Sequence, residues 1–591
     1  MVLKYSGKFE DLKSQLETIN GIWDESQPNK KVLRLEGGLM NWFESTGSIN
    51  FQGKGSGKNT LEEEVPKLLY PKESIITKAS IATADKPKSH ASISSTASSF
   101  PIEYKYLTDG VNEGDLIIGI VSAVGTEDKN VTETLSNRLQ GFSYKVEEIR
   151  VSSCLPMFEE ANEYERIKHY MQQGNAVRKN SQNNAIMAAG VAKKISEARS
   201  TNTTSKQAFI VNSLKHPDEV EFLRKIYGDG FYLIGVHADE KRRRRYLTED
   251  KSLTQNEADE LIRIDEDENV NYGQKTRDTY HLSDFFINLG SNDDYTKNGL
   301  QRFLELIFSN PYKNPTFDEF AMFMAFNSAV RSSDLSRQVG AVISREQQIV
   351  ATGANDVPES GGGLYWAKVD QTTGNIEDVE DGKDYTREFD SNKKAQIEII
   401  QEITDSLIEG DLVSEDKETE VAALLKKSKI SDLTEFGRVV HAEMDALLSC
   451  SRAGISTVGS TLYCTTFPCH NCAKHIVASG VKRVVYVEPY PKSRALDFHS
   501  ESIYLKSDLI EANDKTGELV SFEPFTGVGP RRFLDLFSMN LGSGAKLRRK
   551  DKSGRIIDWD KSSAPIRTPL VAKSYLEIEQ AAIAMWDEVK E

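Results

Sequence analysis

Apolar residues recur along this chain in two rhythms, and the change from one to the other marks out its elements. Between Phe9 and Ile19 they fall at helical spacing, whereas Lys31 to Leu35 and Ser48 to Gln52 alternate as strands do, with turn residues at Gly37 and Gly47. These predict a small α+β module over residues 1–62. From Pro71 to Phe100 the sequence turns to Ser, Thr, Ala and Lys, including HASISSTASS, and loses its periodicity, which predicts a linker over 63–102. Buried-strand runs then follow at Asp115 to Val124, Ala208 to Val211 and Phe231 to Val236, with helical spacing at Val131 to Leu139. Strands alternating with helices predict a parallel sheet over 103–312. A second alternating series, from Gln338 to Glu488, predicts another α/β unit over 313–540, with a polar, acidic insert between Pro358 and His441. The tail, 541–591, carries basic turns and an amphipathic helix from Ser574 to Val589. Several units are required in any case, because a single core stops growing at roughly 250 to 300 residues.

Charge and cysteine usage narrow the picture. A net charge of −16 excludes a general polyanion binder, whose affinity comes from Lys and Arg displacing counterions. The sequence has no apolar run of the ~18 to 20 residues that a membrane span needs and no basic-then-apolar opening, so a cytoplasmic protein without a membrane partner is expected. Five cysteines in so long a chain do not form a disulfide framework, and Cys154, Cys450 and Cys464 read as small core hydrophobes. Cys469 and Cys472 differ, because they form a CxxC.

That CxxC sits in Pro468-Cys469-His470-Asn471-Cys472, after a strand, and is preceded in the chain by His441-Ala442-Glu443. HxE with PCxxC is the signature of zinc nucleobase and nucleoside deaminases. Pro468 suits a helix start, which places both cysteines on one face of a first turn, and His441 supplies a third ligand from the start of a second helix. Three protein ligands leave the fourth tetrahedral position open, unlike a closed structural site. Glu443 is then the proton shuttle, not a ligand, and His470 and His475 are spectators. One Zn²⁺ per chain is expected.

Around this signature, Ser336 to Ile343 (SRQVGAVI), Gly353 to Pro358 (GANDVP), HAE and PCHNC together resemble the deoxycytidylate deaminases of the cytidine deaminase superfamily. The resemblance implies a three-layer α/β/α domain, a free deoxycytidine nucleotide as substrate and a homo-oligomer. It also implies that Asn355 reads the deoxyribose; the other reading is an Asn that shapes its own turn. The wider layout, with IVSAVGT, NSLKHPDEV and GVGPRRF, is similar to the bacterial antiphage dCTP deaminases. That likeness implies a P-loop-like domain ahead of the deaminase domain, conversion of dCTP and dCMP to deoxyuridine nucleotides in antiviral defence, and control by a regulatory nucleotide, an RNA or a phage-derived trigger. Arg531 and Arg532 would grip the triphosphate, or else pair with the acidic surface.

A working Walker A reads GxxxxGK[ST], but here Gly119 and Gly125 are one residue too far apart, Thr126 follows directly and the Lys is missing. Asn212 stands where a Walker B carboxylate would. Kinase activity is therefore not expected, although Gly119, Gly125 and Thr126 remain candidates for holding a nucleotide or regulator at a helix N-terminus. Lys241 to Arg245 (KRRRR) is either a phosphate-gripping lid or a solvated helix face, and Gly53 to Asn59 (GKGSGKN) reads as a linker turn. The stretch NWFESTGSINFQGKG loosely resembles the small substrate-gripping domain of one class of ribonuclease H; an accessory folding or oligomerisation module is the alternative. Deamination of cytosine in RNA or single-stranded DNA stays open as a second function, though it needs a basic, aromatic-lined channel that is not evident near the motifs.

Overall fold

In a computed structural model, residues 3–69, 114–540 and 546–568 are described, apart from short breaks and residues 507–518, together with Ile583, Trp586 and Asp587. The chain divides into two compact units, Met1–Phe100 and Pro101–Glu591.

In the first unit, α1 (Phe9–Gln15) and α2 (Ser56–Leu69) accompany an antiparallel sheet of β1 (Leu3–Lys4), β2 (Ile22–Gln27), β3 (Lys30–Leu35), β4 (Gly38–Phe43) and β5 (Ser48–Gly53), in the order β1-β5-β4-β3-β2. Leu33, Met40, Trp42 and Ile49 close its core with Leu12 and Leu16 of the first helical segment and Leu61 and Val65 of α2. GKGSGKN is not a linker turn: its Ser56 opens α2, which runs on through position 62 to Leu69. The rest of the expected linker lies outside the described residues.

The second unit holds two six-stranded sheets. The first contains β6 (Leu116–Ser122), β7 (Lys145–Arg150), β8 (Gln207–Asn212), β9 (Phe231–His237) and β10 (Phe285–Asn288), all parallel, in the order β10-β9-β6-β8-β7. The helices α3 (Asp128–Gln140), α4 (Glu163–Ser181), α5 (Ile186–Thr201), α6 (Pro217–Tyr227) and α7 (Glu240–Arg245) fall between these strands in sequence. Every residue of LIIGIVS in β6 is buried, as expected of a central strand covered on both faces. Pro217 at the first turn of α6, with a reciprocal His216–Glu219 capping box, fixes where that helix begins. After α8 (Asp293–Ile307) the chain enters α9 (Phe317–Ala329), whose start is set by a second capping box, Thr316 with Glu319.

The second sheet is built from β11 (Gly340–Arg345), β12 (Gln348–Ala354), β13 (Thr461–Thr466), β14 (Arg483–Glu488), β15 (Ile503–Leu505) and β16 (Val520–Pro524), ordered β12-β11-β13-β14-β16-β15. Alternate residues of β11 serve opposite faces. Val342 joins Ala321, Met322 and Ala325 of α9 in a core continuous with one face of the first sheet, while Ala341 and Ile343 pack with the helices that carry the candidate site. Gly340 and Gly353 permit this layering. A Cβ at Gly340 would lie 1.9 Å from the Ala325 carbonyl oxygen, and one at Gly353 would lie 2.1 Å from that of Ala442.

A short strand from beyond this sheet, β17 (Gly527–Val528), returns to pair antiparallel with β10 at the edge of the first sheet. The tail follows it. Trp559 Nε1 donates to Phe308 O, Arg567 donates to the carbonyls of Asp535 and Ser538, and Thr568 bonds to Tyr232 and Asp229. The expected helix from Ser574 to Val589 lies outside the described residues except for Ile583, Trp586 and Asp587; the Trp586 ring packs at Gly190. The molecule is a mixed α/β protein with parallel sheets, and no described helix is long and apolar enough to cross a membrane.

Candidate active site

Two helices point their N-termini at one place. His441 is the N-cap of α10 (Ala442–Arg452), and Cys469 is the N-cap of α11 (His470–Ala478), with Cys472 one turn in. Pro468 therefore precedes the cap and is not itself in the helix. Both sulfurs lie 3.4 Å from His441 Nδ1, and the three ligand atoms all fall within 4.8 Å of one another. Bond lengths of about 2.3 Å to sulfur and 2.0 Å to nitrogen, at a tetrahedral angle, imply S···N separations of about 3.5 Å, so the donor set fits zinc in both chemistry and spacing. The partial positive charge of the converging helix ends favours thiolates. Cys469 is pulled down to about 4, first by its hydrogen bond with Cys472 and, against burial, by its bond with His441. The same thiol–thiol contact, together with burial, pushes Cys472 well up, and His441 rises to about 9, chiefly through Cys469.

Glu443 sits in the first turn of α10, buried, and desolvation raises its carboxyl above the ordinary range against the pull of His441. Cys464 of β13, read from the sequence as a small core hydrophobe, is fully buried in the core that carries the site, and burial with the nearby Glu443 carboxylate pushes its thiol well up. Asp356 pairs with Val440 through both backbone bonds, so the GANDVP segment is laced to the residue before His441. Asn355 lies in this lace. Its Oδ1 accepts from Val339 N at 2.6 Å and its Nδ2 donates to Arg337 O at 2.8 Å, so the amide holds the turn, with one hydrogen and one lone pair left for a sugar.

The other candidates are placed elsewhere. Arg532 does not face an open phosphate pocket. It is buried beside the first sheet, donates to Phe231 O at 2.7 Å, lies 3.4 Å from the fully buried Asp284 and stacks on Tyr232. Arg531 is exposed, and the charged groups that act on it, Arg224, Asp284 and Glu221, belong to the same region. Both follow β17, which has left the second sheet to pair with β10 at the edge of the first. Asp284 keeps Arg224 Nη2 at 3.1 Å and Leu233 N at 2.8 Å, so Arg532→Ala should cost about 2 kcal/mol of stability through the lost bond to Phe231 O in a buried site while leaving nucleotide KM unchanged. Urea denaturation alongside steady-state kinetics checks this, and a raised KM at full stability would restore the phosphate role.

Gly119 is likewise no loop residue. It lies mid-strand in β6, where a Cβ would lie 2.8 Å from Leu214 and Phe231 side-chain atoms. Gly125, at φ +83°, does form the turn after β6, and Thr126 follows it, buried. In the KRRRR run, Arg242 forks onto Glu127 at 2.9 and 3.1 Å, Arg243 is buried under Val124 O, and Arg244 pairs with Asp259 and Glu240. Three of its arginines are thus spent on the fold rather than on a lid.

Residues 315–488 match the family described as the cytidine and deoxycytidylate deaminase zinc-binding region. ComE operon protein 2 of Bacillus subtilis is 47% identical over 53 residues, 9% of this chain and 28% of that protein. The probable deoxycytidylate deaminase of Drosophila melanogaster is 27% identical over 174 residues, 29% of this chain and 59% of that one. The chain thus spans between about three-tenths and three-fifths of these relatives' length. Among solved structures, the dCMP deaminase of cyanophage S-TIM5 in complex with dCMP and dUMP is 21% identical, covering 36% of this chain and 100% of that one, at a TM-score of 0.19, which gives no support to the fold. With the ligand geometry and the matched region in register, the chain carries a zinc-binding domain of the cytidine and deoxycytidylate deaminase superfamily.

Proposed function

We propose that this domain removes the exocyclic amine of a free deoxycytidine nucleotide, turning dCTP and dCMP into dUTP and dUMP with release of ammonia. The observation that carries the reading is the convergence of His441, Cys469 and Cys472 beside a buried, non-ligating Glu443. The zinc they would hold supplies the Lewis acidity that makes water nucleophilic at neutral pH. Glu443 takes a proton from the attacking water and gives it to N3 of the ring. It then carries the second proton to the departing amine, so that the C4–N4 bond breaks with ammonia leaving and the C4 carbonyl forming. Asn355 and the turn it braces orient the sugar. The likeness to deoxycytidylate deaminases supports a deoxycytidine nucleotide, while the domain layout supports dCTP and a role in antiphage defence.

In this reading the region after residue 102 is a P-loop-like domain without a Walker lysine. Its parallel strands run 5-4-1-3-2, which supports that assignment. We also read the working enzyme as a cytoplasmic homo-oligomer. The test is ammonia release from dCTP, dCMP, CTP and cytidine measured in parallel. Turnover confined to the two deoxynucleotides is expected; turnover of neither would defeat the proposal.

A further inference from the structure

We propose that the first sheet carries a second ligand site, for a nucleoside monophosphate, separate from the zinc triad and independent of whether the deaminase reading holds. A cavity of about 490 Å³ opens at the ends of β6, β7 and β8, and none of its lining residues falls within 315–488. That is the crevice where the chain leaves β6 for one side of the sheet and later returns on the other, a favoured place for ligands in open parallel sheets. Its volume is in the range of small-molecule sites.

Three features select an anion with a flat apolar body. In a chain of net charge −16, the wall presents six cations, Lys129, Arg150, Arg166, Arg178, Lys215 and Lys251; Arg178 pairs with the buried Glu219, Lys215 with Asp265, and Arg166 and Lys251 with Glu163, while Arg150 lies 3.8 Å from Asp128. Two buried polar atoms of the wall lack a partner among the described residues: Thr126 Oγ1, on a residue only 6% exposed at the start of the thirteen-residue α3, and Arg178 Nε, on a residue 3% exposed. Leu155, Ile167, Met171 and Met187 supply an apolar stretch of wall where a base can lie.

The turn itself limits the ligand to one phosphate. Val124 N–H, a donor that a polyphosphate would use, already gives to Asp265 Oδ2 at 2.8 Å. Asp265 is fully buried and held by Lys215 Nζ at 2.8 Å and by the Thr276 hydroxyl. An internal carboxylate thus occupies the cradle and spends the lysine. What remains is the α3 N-terminus with Arg150, whose nearest guanidinium nitrogen is 3.8 Å from Asp128, too far for a strong bond.

Calorimetric titration of the zinc-loaded full chain carrying Glu443→Gln, so that dCMP is not consumed, tests this with dAMP, dGMP, dTMP, dCMP and inorganic phosphate. The purine and thymine arms report on the second site, since they lack the cytosine amine. One-to-one binding of at least one of them is expected, with slowed amide exchange over 123–130 and 163–178. Gly174→Leu grows a side chain into the cavity from a position where a Cβ meets only Arg178 Nη1, at 3.6 Å. It and Arg150→Glu should each weaken binding by about tenfold or more, with dCMP turnover in the Glu443 background and the melting temperature unchanged. No binding and no protection with any nucleotide would overturn the proposal, as would phosphate alone binding as well as the nucleotides, or binding indifferent to both substitutions. Should either variant fail to fold, the exchange map on Glu443→Gln alone decides.

Discussion

Glu443→Gln should lower turnover of a deoxycytidine nucleotide by about a thousandfold while the protein keeps its zinc. The size follows from general acid–base catalysis, whose loss typically costs about 10² to 10⁴ in rate. Zinc is retained because the three ligand atoms belong to His441, Cys469 and Cys472, and the amide replaces a buried side chain outside that set. The substitution preserves shape and removes the proton acceptor, so kcat should fall much more than KM rises. Metal analysis beside steady-state kinetics separates the cases. A variant within tenfold of wild type would mean that another group moves the proton; one that loses zinc would make Glu443 part of the metal site.

Glu319→Ala should cost about 3 to 5 kcal/mol of stability, the penalty for stranding one half of a buried ion pair. Glu319 is buried and accepts both Arg302 nitrogens, at 2.6 and 2.7 Å, as well as Thr316 N and Val528 N, each at 2.7 Å. One carboxylate therefore starts α9, anchors α8 and pins β17 against the first sheet. The alanine variant loses all three together, whereas Glu319→Gln keeps the shape and part of the bonding and should lose less. Denaturant unfolding of the two variants measures the difference, and a loss below about 1 kcal/mol for the alanine, the range of an exposed pair, would reduce Glu319 to a surface contact.

Much of this molecule was legible in the sequence because its signals are local. The buried runs at β6, β8 and β9 and the HxE and PCxxC spacings each sit within a few residues, and the structure brings His441, Cys469 and Cys472 together. β2 was not legible: IWDESQ is largely exposed and lacks an alternating apolar face. Which of the two readings of Arg532 holds, phosphate grip or acidic pairing, is not legible for a different reason. Its partners Phe231 and Asp284 are hundreds of residues away in the chain, so a Gly- and Arg-rich loop reads as well for a phosphate grip as for the structural clamp it is. Gly119 matches a phosphate-loop motif only at the wrong spacing; the pressure on it is side-chain packing from β9 and from Leu214, invisible without the sheet order.

The pairing of β17 with β10 sets a timetable for synthesis. The ribosome delivers Asn288 at the end of β10 and must add about 240 more residues before Gly527 exists, which at about 5 to 20 residues per second takes roughly 10 to 50 seconds. Throughout that interval the β10 edge of a nearly finished parallel sheet stands open, with unpaired backbone donors and acceptors that invite another nascent chain. A premature stop anywhere between residues 290 and 526 would make the condition permanent, and such fragments should accumulate as aggregates even when the whole of the first parallel sheet has been translated.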